Sequence, residues 1–187
     1  SFKSRLAWHC HFIQKFYDQP SIEKYNLSSS YDGLRENDFN ERYFSAWKDG
    51  MTGYPFIDAC MRYLKNNGWI NFRMRAMLVS FASYQLWLDW KLTSKFLSKY
   101  FTDYEPGIHY SQFQMQSGTT GINTLRIYNP IKQSYDHDAL GCFIKKWVPE
   151  LSNVPIKYIH EPWTMTPIES KCLNFKIGKS YKDRIID

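Results

Sequence analysis

The stretch from residue 71 to residue 90 constrains the fold most. Phe72, Met74, Met77, Leu78, Val79, Phe81, Leu86, Trp87 and Leu88 leave almost no polar side for water. A helix that is apolar nearly all round lies in the centre of a domain, so the pattern predicts one central helix from Asn71 to about Trp90. Its first turns nevertheless carry Arg73 and Arg75. Two residues apart on a helix point in clearly different directions, so these guanidinium groups cannot share one task. An arginine within a buried segment must be paired or must meet an anion.

The flanking segments also read as helices. Leu6, Trp8, Phe12, Ile13 and Phe16 give a helical pattern over 5–17, ending near Asp18-Gln19-Pro20. The polar stretch 20–40 reads as a loop. Thr52-Gly53-Tyr54-Pro55 opens a helix with proline in its first turn. Ile57, Cys60, Met61 and Leu64 follow on one face, with Asp58 and Arg62 expected to pair on the other. Asn66-Asn67-Gly68 stops it. A short helix is expected from about Thr93 to Phe101, and a last one around Phe143, Ile144 and Trp147. Between them, Asp103 to Thr124 shows little periodicity and reads as a long irregular stretch. Ile108, Tyr110, Phe113 and Met115 make it too apolar for a surface excursion, which points to function. From Pro167 onward the Lys-rich chain is expected to be loosely held. With no strand alternation, the fold class is all-α. A glycine-rich phosphate loop and a nucleophile-elbow motif are both absent from the sequence.

The 187 residues are enough for one domain with a real core. Lys and Arg number 24 against 18 Asp and Glu, a formal charge of +6, and 18% of residues are aromatic. That aromatic content excludes disorder. Ser1-Phe2-Lys3-Ser4-Arg5 is followed by no apolar run of the signal-peptide kind, and no run is long enough to span a membrane. Cys10, Cys60, Cys142 and Cys172 are scattered without metal-ligand spacing. They are expected to be free thiols in a reducing compartment, the cytoplasm, or the nucleus or an organelle in a eukaryote. His9 and His11, two residues apart, do not face each other, so no metal is expected. A basic, aromatic-rich domain of this kind can bind nucleic acid, wall a cofactor pocket, or simply carry a positive solvated face over an aromatic core.

Five ordered motifs narrow this. Ala46-Trp47-Lys48-Asp49-Gly50-Met51-Thr52-Gly53-Tyr54-Pro55 with the helix after it, Gly68-Trp69-Ile70-Asn71-Phe72-Arg73-Met74-Arg75, Asp89-Trp90, Arg126-Ile127-Tyr128-Asn129-Pro130 and Trp147-Val148-Pro149-Glu150-Leu151 stand in unbroken order. Over about residues 2–163 the chain resembles the photolyase/cryptochrome family. The resemblance implies an all-helical domain cradling FAD, here residues 1–166, with 167–187 as a basic tail. The family's N-terminal α/β antenna domain, and the stretch before residue 2 that normally holds the FAD phosphates, have no counterpart in these residues. The implied activity is that of a deoxyribodipyrimidine photolyase, a carbon–carbon lyase in which photoexcited reduced FAD passes an electron to a pyrimidine dimer. The alternative is a cryptochrome-like photoreceptor or a DNA-binding relative without repair. The implied partner is DNA, single-stranded or with a flipped-out dimer, met by a monomer without membrane or metal.

Residue by residue, the resemblance gives Arg75 and Asp103 a pairing beside the isoalloxazine ring, Glu105 a second acidic position there, and Trp69 a pocket wall. Phe2 and Ile108 join this cofactor set. Trp8 matches the tryptophan that stacks on the lesion, Arg73 the arginine that holds a DNA phosphate, and Arg126 a residue of the same rim. Several positions depart from the repair pattern. Arg5 replaces a lesion-binding glutamate, His9 an arginine near the FAD phosphates, and Met115 a second stacking tryptophan. His109 replaces the asparagine facing flavin N5, where a histidine can donate a proton, and Phe72 replaces a lesion-contacting asparagine. Of the three-tryptophan electron route only Trp90 remains, flanked by Phe113 and Asn37, which makes Trp87 or Tyr110 the substitute relay.

Overall fold

The computed structural model describes residues 2–122 and 124–186. Among them it forms α1 (Phe2–Asp18), α2 (Glu41–Asp49), α3 (Pro55–Asn67), α4 (Phe72–Ser80), α5 (Trp90–Leu97), α6 (Pro106–Ser117), α7 (Pro130–His137), α8 (Cys142–Trp147), α9 (Ile156–Ile159) and α10 (Pro167–Cys172), with short 3₁₀ turns between. There is no strand among the described residues, only an isolated bridge between Ile177 and Tyr181. The all-α reading holds. The chain divides into two compact units, Ser1–Asn40 with Val79–Ile127, and Glu41–Leu78 with Tyr128–Asp187.

The first unit is built on α6. Gly107, His109, Tyr110, Ser111, Phe113, Gln114, Gln116 and Ser117 are all buried. The stretch expected to be irregular is therefore a helix, its start capped by Glu105, whose carboxylate accepts from Ile108 N at 2.8 Å, and its end by Gly118 in the left-handed region. A helix enclosed nearly all round has no polar face to create a period, which is why the pattern failed. α1 packs on α6 at Gly107, where a Cβ would lie 2.7 Å from the Phe12 carbonyl oxygen. The buried Gln114 ties the 20–27 segment down: its Nε2 donates to the Ile22 and Tyr25 carbonyls at 2.9 and 3.0 Å, and its Oε1 accepts from Leu27 N at 2.7 Å.

The helix expected over 71–90 is interrupted. After α4 the chain takes a π-helical turn, Phe81–Gln85, then runs through Trp87 at φ 54° to Asp89, which caps α5 by accepting from Lys91 N at 3.1 Å. A positive φ is strained for a residue with a Cβ. Here tertiary contacts hold it: the Arg35 guanidinium lies 4.5 Å over the Trp87 ring, and the indole N–H donates to Asp38 at 3.1 Å.

The second unit is built on α3, which forms where the spacing predicts, from Pro55 to Gly68 in the left-handed region. The expected Asp58–Arg62 pair is replaced. Asp58 is fully buried and accepts from Thr52 N, Thr52 Oγ1, Gly53 N and the Tyr181 hydroxyl at 2.7, 2.6, 3.1 and 2.5 Å. Arg62 instead forks onto Glu150 at 2.8 and 3.0 Å. Burial opposes ionisation of Glu150, but the Arg62 fork outweighs it and holds the carboxyl below its usual range.

Residues 167–187, expected to be loosely held, are docked where described. α10 opens with a reciprocal capping box between Thr166 and Glu169. Phe175 and Tyr181 are buried, Ile185 N donates to Thr52 O at 2.9 Å, and the Tyr54 hydroxyl donates to Ile186 O at 3.2 Å. Lysine content hid these apolar anchors.

Candidate functional site

In the first unit the residues singled out by sequence lie on two helical stripes. On α1, Phe2, Arg5, Trp8 and His9 share one face with Phe12 and Phe16, an arc of roughly 120° at 100° per residue. The Phe12–Phe16 end of that face packs on α6. The other end is bare: Phe2 is 79% and Trp8 56% exposed. Trp8 is steadied from one side by Phe12, with ring centroids 5.8 Å apart and planes 30° apart. On α6, Glu105, Ile108, Gln112 and Met115 form the half-buried stripe of an otherwise buried helix. Sequence reasoning found three of these four. Gln112 was missed, and its Oε1 is buried without a hydrogen-bond partner, as are Ser111 Oγ and Gln116 Oε1.

His109 is buried in the first unit. Its ring lies among Phe101, Tyr104, Tyr110 and Phe113, the last at 4.5 Å. Its Nε2 lies 3.0 Å from the Ser94 carbonyl oxygen. A carbonyl only accepts, so Nε2 carries the proton of that bond. That bond joins α6 to α5. Tyr110, buried beside it, has its phenol pKa raised by burial and by the neighbouring Tyr104 and Glu23. Trp90 is buried, its indole donating to Asn26 at 2.8 Å.

In the second unit Arg75 and Arg73 have the separate tasks their spacing requires. Arg75 is half-buried, with Nε donating to Ile70 O at 2.7 Å. Arg73 is exposed and lines a cleft of about 490 Å³ together with Trp69, His137 and Lys146. Phe72 beside it is exposed. Arg126, in the first unit, has its backbone carbonyl fixed by Ser80 Oγ at 3.2 Å and its side chain in solvent. Asp103 is exposed at the turn before α6.

The donors suit a flavin. An isoalloxazine ring has two apolar faces and an edge carrying both N–H and carbonyl groups. The bare aromatic stretch of α1 and the unmet Gln112 acceptor on α6 are the complements of those features, each within the first unit.

The sequence profile described as the FAD binding domain of DNA photolyase matches residues 2–187. The chain belongs to that family. A deoxyribodipyrimidine photo-lyase of Alkalihalophilus pseudofirmus is 32% identical over the whole chain, which spans 39% of that relative. The solved class III photolyase of Agrobacterium tumefaciens superposes with a TM-score of 0.90 at 31% identity, covering all of this chain and 39% of its own. A Synechocystis cryptochrome superposes at 0.86 with 26% identity, covering all of this chain and 38% of its own. The matched part of the family thus extends through the docked segment after residue 166. All four cysteines are free thiols. Among the described residues no helix is long and apolar enough to cross a membrane, and no group of three His, Cys, Asp or Glu is placed to hold a metal.

Proposed function

We propose that this FAD-binding domain serves light-dependent repair of pyrimidine dimers in DNA. The observation that carries the reading is Trp8, a half-exposed indole steadied by the rings of Phe12 and His11. Relatives that carry the name deoxyribodipyrimidine photo-lyase support it. Bound FAD supplies the photoexcited electron. The chain's own residues do the rest. Trp8 stacks on the flipped base, Met115 covers it, and Arg73 and Arg126 hold phosphates. Within the first unit, Phe2, Arg5, His9, Glu105, Ile108 and Gln112 hold the cofactor.

The test is illumination of the reduced protein with dimer-containing single- and double-stranded DNA, after an absorption spectrum has shown flavin. Dimer loss in light and not in darkness supports repair. The cryptochrome reading is favoured by Arg5, a cation where repair requires an acceptor for the lesion, and retained flavin without repair would establish it. Binding to DNA is expected to weaken as salt rises, because phosphate contacts release counterions. Trp8→Ala is expected to cost about 1–3 kcal/mol on single-stranded DNA, the worth of one stacked base. Binding that ignores both salt and Trp8 rejects this surface.

The electron relay also yields an expectation. Loss of an electron leaves a positive charge on an indole, and Arg35 at 4.5 Å over Trp87 opposes that. Tyr110 feels the Glu23 carboxylate, which helps raise its phenol pKa and is a base that can take the phenolic proton on oxidation. Photoreduction rates with an external reductant are expected to fall in Tyr110→Phe and hardly to change in Trp87→Phe. The reverse order returns the relay to Trp87.

A further inference from the structure

α6 carries Gln112, Gln114 and Gln116, and the fold treats them in two ways. Gln114 is fully answered: its Nε2 donates to the Ile22 and Tyr25 carbonyls at 2.9 and 3.0 Å, and its Oε1 accepts from Leu27 N at 2.7 Å. Gln112 and Gln116 lie about 40° apart on the opposite side of the helix, at roughly 100° per residue. The Oε1 atoms of both are buried, and neither has a hydrogen-bond partner among the described residues. Gln116 is only 3% exposed. A buried carbonyl oxygen left unmet is destabilising, and α6 bears that penalty twice on one side. Packing does not demand it, since methionine is unbranched, flexible and free of an amide.

Two acceptors side by side call for two donors. The oxidised isoalloxazine ring has one ring N–H, at N3. Two electrons and a proton at N5 give it a second, while its carbonyls remain acceptors in both states. One unmet oxygen would serve either form; a pair distinguishes them. We propose that Gln112 and Gln116 are cofactor contacts that select the redox state, their amide oxygens favouring reduced flavin over oxidised. Ile108, one turn before Gln112 on the same stripe, is the apolar neighbour that a ring face needs. The proposal rests on the flavin reading of this stripe and is independent of DNA repair.

The test is anaerobic calorimetric titration of the flavin-free full chain with oxidised FAD and with FAD reduced by dithionite. Wild type is compared with Gln112→Met, Gln116→Met and, from the answered side of the helix, Gln114→Met, each first checked by circular dichroism. Reduced FAD is expected to bind wild type more tightly than oxidised FAD. Gln112→Met and Gln116→Met should each cut that preference by about tenfold, the weight of one buried hydrogen bond. A separate redox titration should then show the midpoint potential lower by about 30 mV for each tenfold, as a two-electron couple requires. Melting of the flavin-free chain separates binding from folding roles. Gln114→Met should lower the melting temperature, whereas Gln116→Met, which removes an unmet group, should leave it level or raise it. An unchanged preference in both variants, with FAD still bound, rejects the proposal and leaves the flavin reading standing. Failure to bind FAD in either state rejects both. If Gln116→Met melts as low as Gln114→Met, the amide serves the fold and the proposal falls. It also falls if the variants lose affinity for an oligothymidylate but not for reduced FAD, because the oxygens then face a base N–H.

Discussion

Asp58→Ala is expected to lower the stability of the second unit by at least about 3 kcal/mol in urea unfolding, since each buried donor left unmet costs about 1–3 kcal/mol. The carboxylate answers four of them: Thr52 N, Thr52 Oγ1, Gly53 N and the Tyr181 hydroxyl. Tyr181→Phe removes one donor along with its need, and should cost roughly 1 kcal/mol. Asp58 also sets a pH dependence. Burial raises its pKa above the usual carboxylate value, although the hydrogen bonds from Thr52 and Tyr181 pull the other way. The folded chain then binds a proton that the unfolded chain has released. Stability therefore falls as pH rises from the ordinary carboxylate value to the raised one, and is level beyond it. Asp58→Asn should lack that descent. A milder loss in Asp58→Ala than in Tyr181→Phe, or the same slope in Asp58→Asn, refutes this account.

Gly107→Val is expected to loosen α1 from α6. A Cβ at Gly107 would lie 2.7 Å from the Phe12 carbonyl oxygen, 2.9 Å from Phe16 Cβ and 3.1 Å from Ile13 Cα. Two of these are backbone atoms of α1, which cannot swing aside as a side-chain tip can. Overpacking a core commonly costs about 1–3 kcal/mol, and valine should exceed alanine. Because Trp8 sits on the same helix, its stacking on single-stranded DNA should fail with it, and trypsin should cut at Lys15 sooner. Gly33→Ala is the control: its φ is +80° but nothing lies within 4 Å, leaving only backbone strain of about 1–2 kcal/mol. If the two alanine variants are equally stable and cleaved at equal rates, the crossing is not as close as described.

The contrast between α3 and α6 shows what a linear reading can reach. α3 is buried all round from Pro55 to Met61 and meets water only from Arg62 on, but Ile57, Cys60, Met61 and Leu64 keep the repeat, and its proline and glycine mark both ends. α6 has Pro106 and Gly118 in the same roles, but burial on nearly every side removes the repeat. The break after α4 was invisible because it depends on Arg35 and Asp38 reaching Trp87 from distant positions. Arg62 found Glu150 rather than its neighbour Asp58 for the same reason: the better partner lay 88 residues away. At the site, Trp8, Glu105, Ile108 and Met115 came from the resemblance and share helical stripes. Gln112, His137 and Lys146 carried no signal, since only tertiary packing brings them to their neighbours.

The way Tyr181 reaches Asp58 governs the order in which the chain can settle during synthesis. The first unit has all its segments by Ile127, although the second unit's Glu41–Leu78 lies between them in sequence. The second unit begins at Glu41 but stays open at its centre, with the Asp58 carboxylate short of a donor, until a residue 123 positions later has left the ribosome. Contacts this far apart in sequence form slowly. For much of translation the α3 face that later becomes core is available to chaperones or to other nascent chains, and the aggregation hazard of this fold is concentrated in that interval.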